Sequence, residues 1–448
     1  MLAYLARRLL IVPPTLFLVS LVIFVVLNLA PGRPGERSVG SMDAREMASR
    51  SSYRLFRQQF GLDKPILLNT RFLLSESDVR VMLDEAYLDP GIDPKLRLRA
   101  RRQIDDHGDS IVRHLVSLLD TPNYAYAATQ ILADSQRFSA RHGWWYEPEA
   151  SGEVRDEVHK RWKAYYAGHS ERFDWPLRRA AFDLFFDTRF ARYWRNILHF
   201  DFGLSLVDRQ PVRQTIADKL KCTLAFMGLS LLLAYTVALP LGLISAMYRG
   251  RRLDVAIGLV LFALFSLPTF FVGTVLLQML AAGEPFRLFP TGGFRSVDAT
   301  VRTTGEQLLD ILWHLALPVF TYAAAIVAVI SRYARAGVIE VFEAGYIRAA
   351  RARGLPELSI LTRHVARNGL IPILTLLGGL LPTLVGGSVV VEVVFGIPGM
   401  GLYLFDSINL RDYNAVMGVL VVTSFLTLIG VLLSDLSYAI ADPRIVLR

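Results

Sequence analysis

The 448 residues contain a single cysteine, Cys222. That excludes an intramolecular disulfide framework and any cysteine-rich zinc or iron–sulfur site. Charge is sparse too: 20% of residues are charged and 53% hydrophobic, where an ordinary soluble domain holds about 25% charged residues. Lysine is nearly missing, since only six of the 49 basic residues are lysines. No Gly-x4-Gly-Lys-Ser/Thr string occurs, so the chain lacks the loop that cradles a nucleotide's phosphates. His-Glu-x-x-His and Gly-x-Ser-x-Gly are missing as well, which removes the zinc-protease and serine-hydrolase readings. Of eight histidines, His107, His114, His142, His159 and His169 are scattered through one polar stretch, and they read as surface or core side chains. No metal and no cofactor is assigned, and the apolar content rules out a disordered chain.

Long apolar runs are what the chain has instead. A bilayer-spanning helix needs about 20 consecutive apolar residues, and six segments meet or approach that: 9–30, 223–247, 253–280, 311–330, 371–394 and 415–433. The third opens with Asp254 and the fifth carries Glu392 near its end. Helix is the reading for all six, because an open sheet leaves backbone groups unpaired in lipid. The first run is too long for the apolar core of a cleaved leader and is read as a retained span. The expected fold class is therefore an all-α polytopic membrane protein with six transmembrane helices.

Arginine placement sets the expected orientation. With Arg7 and Arg8 on the cytoplasmic side, six spans bring 249–252, 331–370 and the C-terminus to that same side. These segments hold 14 basic residues against five acids. Both termini are then cytoplasmic, and the formal charge of +9 reflects membrane topology; no nucleic-acid partner is implied. Between the first two spans lies an external segment, 31–222. Its central part, 73–190, carries 17 basic and 20 acidic residues, so it takes no share in the excess of positive charge. Ile111, Leu115, Leu118 and Leu119 share one helical face, as do Val154, Val158, Trp162 and Tyr165. Pro90, Pro94, Pro122, Pro148 and Pro176 divide the segment into several short helices. The stretch 101–120 has the look of one helical-repeat unit, without a second copy of comparable quality.

The cytoplasmic loop 331–370 contains a helix-forming string from Glu340 that stops at Gly354 and restarts at Leu355-Pro356. A helix closed by glycine and a second opened by proline makes a helix–turn–helix at the membrane surface. Its arginines suit two roles equally: anchors to anionic lipid, or a short helix laid in a groove of a cytoplasmic partner. Within the spans, Pro240, Pro268, Pro318, Pro372 and Pro382 each remove a helix hydrogen bond. Gly378, Gly379, Gly386 and Gly387 permit close packing.

The string 346–355 (YIRAARARGL), followed by 363–372 (RHVARNGLIP), resembles the EAA loop of ABC importer permeases, and more narrowly the dipeptide/oligopeptide/nickel group. Other strings match in order: 5–15 (LARRLLIVPPT), 29–32 (LAPG), 60–65 (FGLDKP), 199–205 (HFDFGLS), 391–401 (VEVVFGIPGMG), 411–413 (RDY), 435–439 (DLSYA) and 442–444 (DPR). Arg348 stands where the broader family has the first Glu of its motif, as in peptide-type members. Arg33 replaces an acidic residue often found after Ala-Pro-Gly, and about 120 residues between Arg71 and Ala191 replace a few in relatives.

The resemblance implies a non-catalytic permease subunit of an ATP-driven importer in the bacterial inner membrane. Its partners would be a homologous second permease, two cytoplasmic ABC ATPases, an extracytoplasmic solute-binding protein and membrane lipid. The chain then divides into an N-terminal span (1–30), an external segment (31–222) with its insert at 73–190, and a five-helix permease core (223–448) with the coupling loop at 331–370. Arg348, Ala349, Ala350, Arg351, Arg353, Gly354, Leu355 and Pro356 are the expected ATPase-coupling residues. Gly354 would supply the turn, Ala349 and Ala350 the close contact, and Arg351 and Arg353 charge pairing. Gly378, Gly379, Glu392 and Asp435 are candidates for the translocation pathway, because acids within a membrane are costly. Peptides are the expected solute, with nickel chelates or glutathione as alternatives. A membrane-anchored scaffold that recruits envelope partners without transport is the competing reading.

Overall fold

The structure is a computed structural model that describes residues 2–29, 64–89, 91–135, 144–174, 176–282, 288–297, 303–366, 369 and 388–441. Among the described residues there is no strand, only an isolated bridge between Leu204 and Pro211. The chain divides into two compact units, one formed by Met1–Gly40 with Asp201–Arg448 and the other by Ser41–Phe200.

The first unit begins with α1 (Leu2–Leu29), an apolar helix in which, from Leu9 onward, only Ser20 and Phe24 are buried within the chain. The second unit then opens with α2 (Glu76–Leu83), started by a reciprocal Ser75–Asp78 capping box and prolonged by a π-helical turn to Leu88. Next come α3 (Pro94–His107), α4 (Val112–Ser117) and α5 (Pro122–Ser135). Gly108, at φ +54°, supplies the left-handed residue that ends α3. Where the sequence suggested one repeat unit, the structure has two successive helix hairpins, α2–α3 and α4–α5. Their second helices match from the proline onward: six residues after it stand Ala100 and Ala128, and ten after it Ile104 and Leu132, all buried.

The α6 helix (Gly152–Gly168) adds Val158, Trp162 and Tyr165 to the same core, whereas Val154 is exposed. Trp162 is fully enclosed and its indole N–H donates to the carbonyl of Trp144 at 2.8 Å, which satisfies the one polar atom of that side chain. The unit ends in α7 (Leu177–Phe186) and α8 (Arg189–Leu198). The incoming segment 64–70 is tied to the joint between them. Asn69 N–H donates to Leu184 O, Arg189 N–H to Pro65 O and Phe190 N–H to Ile66 O, and Lys64 pairs with Asp187.

The first unit resumes with α9 (Val212–Met247), α10 (Arg252–Ser266), α11 (Thr269–Leu277) and α12 (Thr304–Phe342). After them come α13 (Gly345–Ala352), α14 (Val389–Phe395), α15 (Met400–Leu410) and α16 (Tyr413–Ala441). Among the described residues, four helices (the apolar part of α1, then α9, α12 and α16) are long and apolar enough to cross a membrane, or up to six if each bent pair counts as one span. The run at 253–280 is not one helix. It breaks at Leu267–Pro268 with a bend of 94° between α10 and α11, because proline both lacks the N–H and pushes its predecessor out of the helical region. Pro240 and Pro318, by contrast, lie inside unbroken α9 and α12. Most of the run at 371–394, with Pro372, Gly378, Gly379, Pro382, Gly386 and Gly387, lies outside the described residues.

The most extensive helix pairing is α9 against α12. Ser230, Ala234, Ala238, Gly242 and Ala246 recur every fourth residue along α9, and all are buried. Opposite stand Ala324, Ala328, Ser331 and Ala334, also buried. Helices in lipid gain little from apolar burial against one another, so small residues that let backbones approach provide the contact. Gly242 marks the tightest point. A Cβ there would lie 2.7 Å from the Ser331 carbonyl oxygen and closer still to the Ala334 methyl.

Candidate functional site

The helix string of the EAA-like loop begins two residues beyond the end of α12, as α13. It has two faces. Ile347 is fully enclosed and Ala350 nearly so, packed with Val338, Ala246, Ile360, Leu361 and Val365. Tyr346, Arg348, Ala349, Arg351, Ala352, Arg353, Gly354, Leu355 and Pro356 are exposed. The expected Ala349/Ala350 contact pair is thus divided. Ala350 is turned into the chain's own core, because it follows Ile347 by three positions and shares its face, and Ala349 alone of the two points outward.

The end of α13 is a Schellman motif. Gly354 N–H donates to Arg351 O at 2.9 Å and Leu355 N–H to Ala350 O at 3.4 Å. Gly354 sits at φ +76° with no atom within 4 Å of the Cβ it lacks, so the glycine is required by backbone conformation and not by crowding. Pro356 caps the following turn, Glu357–Ser359. Arg351 is committed within the chain: its Nε donates to Glu357 Oε1 at 2.7 Å, and its guanidinium lies over the Phe342 ring. Arg348 and Arg353 make no ion pair among the described residues. Of the three arginines, these two project charge outward without an internal partner there.

Above this loop a buried carboxylate joins three helices. Arg335 of α12 grips Asp254 of α10 with both arms, Nε to Oδ1 at 2.9 Å and a terminal amine to Oδ2 at 2.8 Å. The hydroxyl of Ser245 on α9 donates to Oδ1 at 2.5 Å and Gly250 N–H to Oδ2 at 2.9 Å. A paired carboxylate with every lone pair engaged is the arrangement in which a buried charge is tolerated. Arg249 and Glu343 pair nearby at 2.6 Å on the surface. Asp254 and Arg335 count as bare charges in the sequence. The signal that could have joined them is a lone acid opening one apolar run and arginines, Arg332 and Arg335, just after another.

Glu392 also has a role that the sequence left unseen. It is wholly enclosed within the chain. Its Oε1 accepts from the Thr223 hydroxyl at 2.9 Å and its Oε2 from Leu402 N–H at 2.9 Å, while Thr223 Oγ1 accepts from Met400 N–H at 2.8 Å. The carboxylate therefore caps the start of α15, where helix N–H groups lack partners, and ties it to α9. Gly399 and Gly401 make room for it: a Cβ at either would fall within 3 Å of the carboxylate. These contacts account for the Glu, Gly and Gly of the string 391–401.

A parallel arrangement links the strings 199–205 and 411–413. The Ser205 hydroxyl donates to Asp412 Oδ2 at 2.5 Å and Asn414 Nδ2 donates to Leu204 O at 2.8 Å. Asp412 Oδ1 accepts from Ala415 N–H at 3.2 Å, capping α16. Burial pushes the Asp412 carboxyl above the usual range, against the hydrogen bonds that hold it down. Arg411 is left-handed at φ +56°, which turns the chain sharply between α15 and α16. Asp435 lies within α16, and Gly378 and Gly379 lie outside the described residues. Among the described residues no group of three or more His, Cys, Asp or Glu could hold a metal ion.

Residues 238–447 match the family described as the binding-protein-dependent transport system inner membrane component. The chain is 36% identical over 263 residues to the oligopeptide transport system permease protein AppB of Bacillus subtilis, covering 58% of this chain and 81% of that one. It is 36% identical over 270 residues to the probable D,D-dipeptide transport system permease protein DdpB of Escherichia coli, covering 58% and 79%. With the dipeptide transport system permease protein DppB of Escherichia coli it shares 31% identity over 273 residues, covering 57% and 80%. The chain belongs to the inner-membrane permeases of binding-protein-dependent ABC importers. This permease is accordingly a multi-pass protein of the inner membrane and a non-catalytic component, with ATP hydrolysis in separate subunits. Membership also implies a solute-binding partner and a further permease subunit. These matches cover 57–58% of this chain.

Proposed function

We propose that this permease forms one half of a peptide translocation pathway and that α13 is the element through which the ATPases drive it. The permease would cross the membrane six times with both termini cytoplasmic and residues 31–222 outside. It would pair with a homologous permease, two ATPases and a peptide-delivering binding protein. The observation that carries this reading is the two-faced construction of α13. Its inward face is anchored by Ile347 and Ala350, and its outward face offers Arg348, Ala349, Arg353 and Leu355. A short helix anchored on one side and unsatisfied on the other fits a groove on a partner.

Motion imposed on α13 has a stiff route onward. Two residues separate it from α12, a helix of 39 residues and so about 58 Å long at 1.5 Å per residue. The close α9–α12 packing and the Asp254–Arg335 clamp make α9, α10 and α12 respond together. Closure of the ATPase pair would then rock this group as a body and open the pathway outward. Gly378, Gly379 and Asp435 remain candidate pathway residues in this reading. Glu392 is assigned to holding α15 instead.

The test is assembly and stimulation. The permease, purified in detergent with its genetic neighbours co-expressed, is expected to bring down ATPase subunits, and reconstituted complex is expected to hydrolyse ATP faster when binding protein and peptide are added. Recovery of the chain with envelope proteins but no ATPase would favour the scaffold reading and overturn this one.

A further inference from the structure

One helix of the second unit is apolar on two opposite sides. In α7, Ala180 is buried and Leu184 partly so, and these face the unit's interior. Phe182, Phe185 and Phe186 stand on the far side, 60%, 58% and 64% exposed, with the rings of Phe182 and Phe186 stacked at 4.6 Å. Three exposed phenylalanines within five residues exceed the scattered apolar exposure of an ordinary surface and mark an interaction face. Ile66 and Leu68, on the incoming segment bonded beside α7, are also about half exposed.

The surroundings of this face identify what covers it. Arg178 on α7 and Arg192 and Arg195 on the adjoining α8 are exposed. The neighbouring acids are already engaged, Asp183 with Arg179 and Asp187 with Lys64, so the local surface is basic. The chain also leaves the unit here: α8, whose joint with α7 is bonded to segment 64–70, leads within 14 residues into the membrane-crossing α9. Aromatic residues accompanied by exposed arginines, close in the chain to a membrane span, have the chemistry of an interfacial helix.

We propose that α7 lies in the membrane surface, with Phe182, Phe185 and Phe186 inserted at the boundary of headgroups and acyl chains and the arginines meeting anionic headgroups. This docks the second unit on lipid independently of the solute carried. It also explains why a ten-residue helix of an exposed domain spends three phenylalanines on its outer side.

The experiment uses the full-length permease in nanodiscs of phosphatidylcholine with phosphatidylglycerol. In a Cys222→Ser background, spin labels are placed at Phe182→Cys, Phe186→Cys and, as a solvent control on α6, Glu153→Cys. Collision with oxygen, which partitions into lipid, is compared with collision with a water-soluble nickel complex. Labels at 182 and 186 are expected to favour oxygen and the label at 153 nickel. With phosphatidylcholine alone, the preference for oxygen at 182 and 186 is expected to weaken. Equal behaviour at all three positions would overturn the proposal. Protection from nickel at 182 and 186 that arises only when solute-binding protein is added would overturn it in favour of a protein partner.

Discussion

The membrane core and the Ser41–Phe200 unit are both helical among the described residues, yet they are held together by different means. In the core, α9 and α12 meet through alanine, serine and glycine, and a few enclosed carboxylates (Asp254, Glu392) fix helix ends to neighbours. In the other unit, large side chains such as Trp162, Phe173, Leu83 and Leu115 fill a common interior, and charges pair at the surface. Solvent explains the difference. Water drives large apolar side chains together, whereas lipid gives no such preference and rewards close approach and satisfied polar groups. Volume should therefore govern the stability of one unit, and small size and exact hydrogen bonding that of the other.

The strongest challenge to that contrast is Trp162→Ala, which empties the middle of the Ser41–Phe200 unit and removes a hydrogen-bond donor to Trp144. A loss of about 3–5 kcal/mol is expected, read as an early unfolding transition of this unit while the permease still inserts and assembles with its partners. In the core the reverse change is the harmful one. Gly242→Leu adds volume where even a methyl group does not fit, with an expected cost of about 1–3 kcal/mol and lower thermal stability of the purified permease. Equal tolerance of Gly242→Leu and of leucine at exposed Gly228 would remove the close-packing argument. Asp254→Ala leaves Arg335, Ser245 and Gly250 without their acceptor. About 2 kcal/mol is expected to be lost, together with much of the coupling between ATP hydrolysis and transport.

The smallest effect separates the units by pH. Burial lowers the His107, His114 and His159 pKa values, so the unfolded unit takes up these protons at about pH 6.5 before the folded one does. Proton uptake that favours the unfolded state removes stability as pH falls. His107 has Arg71, Asp106 and Asp78 around it, His114 has Arg113, Glu76 and Asp78, and His159 has Asp156, Lys163, Asp120 and Arg155. Hydrogen exchange, corrected for its intrinsic pH dependence, is expected to accelerate in helices α2 to α6 between pH 7 and pH 5.5 and to change little in α9 and α12.

How much of this could be read from the sequence follows the same division. Apolar length locates α1, α9, α12 and α16, because a run of that kind has one stable form in lipid. The break at Leu267–Pro268 escapes such a reading, since proline is tolerated inside α9 and α12 and the residue itself does not reveal which outcome applies. The Ser230–Ala246 stripe is visible at a spacing of four once small residues are counted as contacts. The second hairpin emerges when Pro94 is laid on Pro122. Ser205 with Asp412 and Thr223 with Glu392 are different: more than 160 positions separate each pair, and no local pattern brings them together. At α13 the closing glycine was legible from helix-stop chemistry, whereas the inward turn of Ala350 and the internal engagement of Arg351 needed the packing.

If α13 transmits ATPase motion through its outward face and glycine-closed turn, as proposed, substitutions at Gly354 should uncouple transport. The space beside Gly354 is open within the chain, and asparagine and aspartate both tolerate left-handed backbone, so Gly354→Asn and Gly354→Asp place similar side chains on the docking face and differ in charge. Gly354→Val adds backbone strain as well. Binding-protein-stimulated ATP hydrolysis and peptide uptake, measured in reconstituted complexes with equal membrane insertion, are expected to fall in the order Asn, Asp, Val, with Gly354→Asp losing nearly all uptake. Normal, fully coupled uptake by Gly354→Asp would contradict the account.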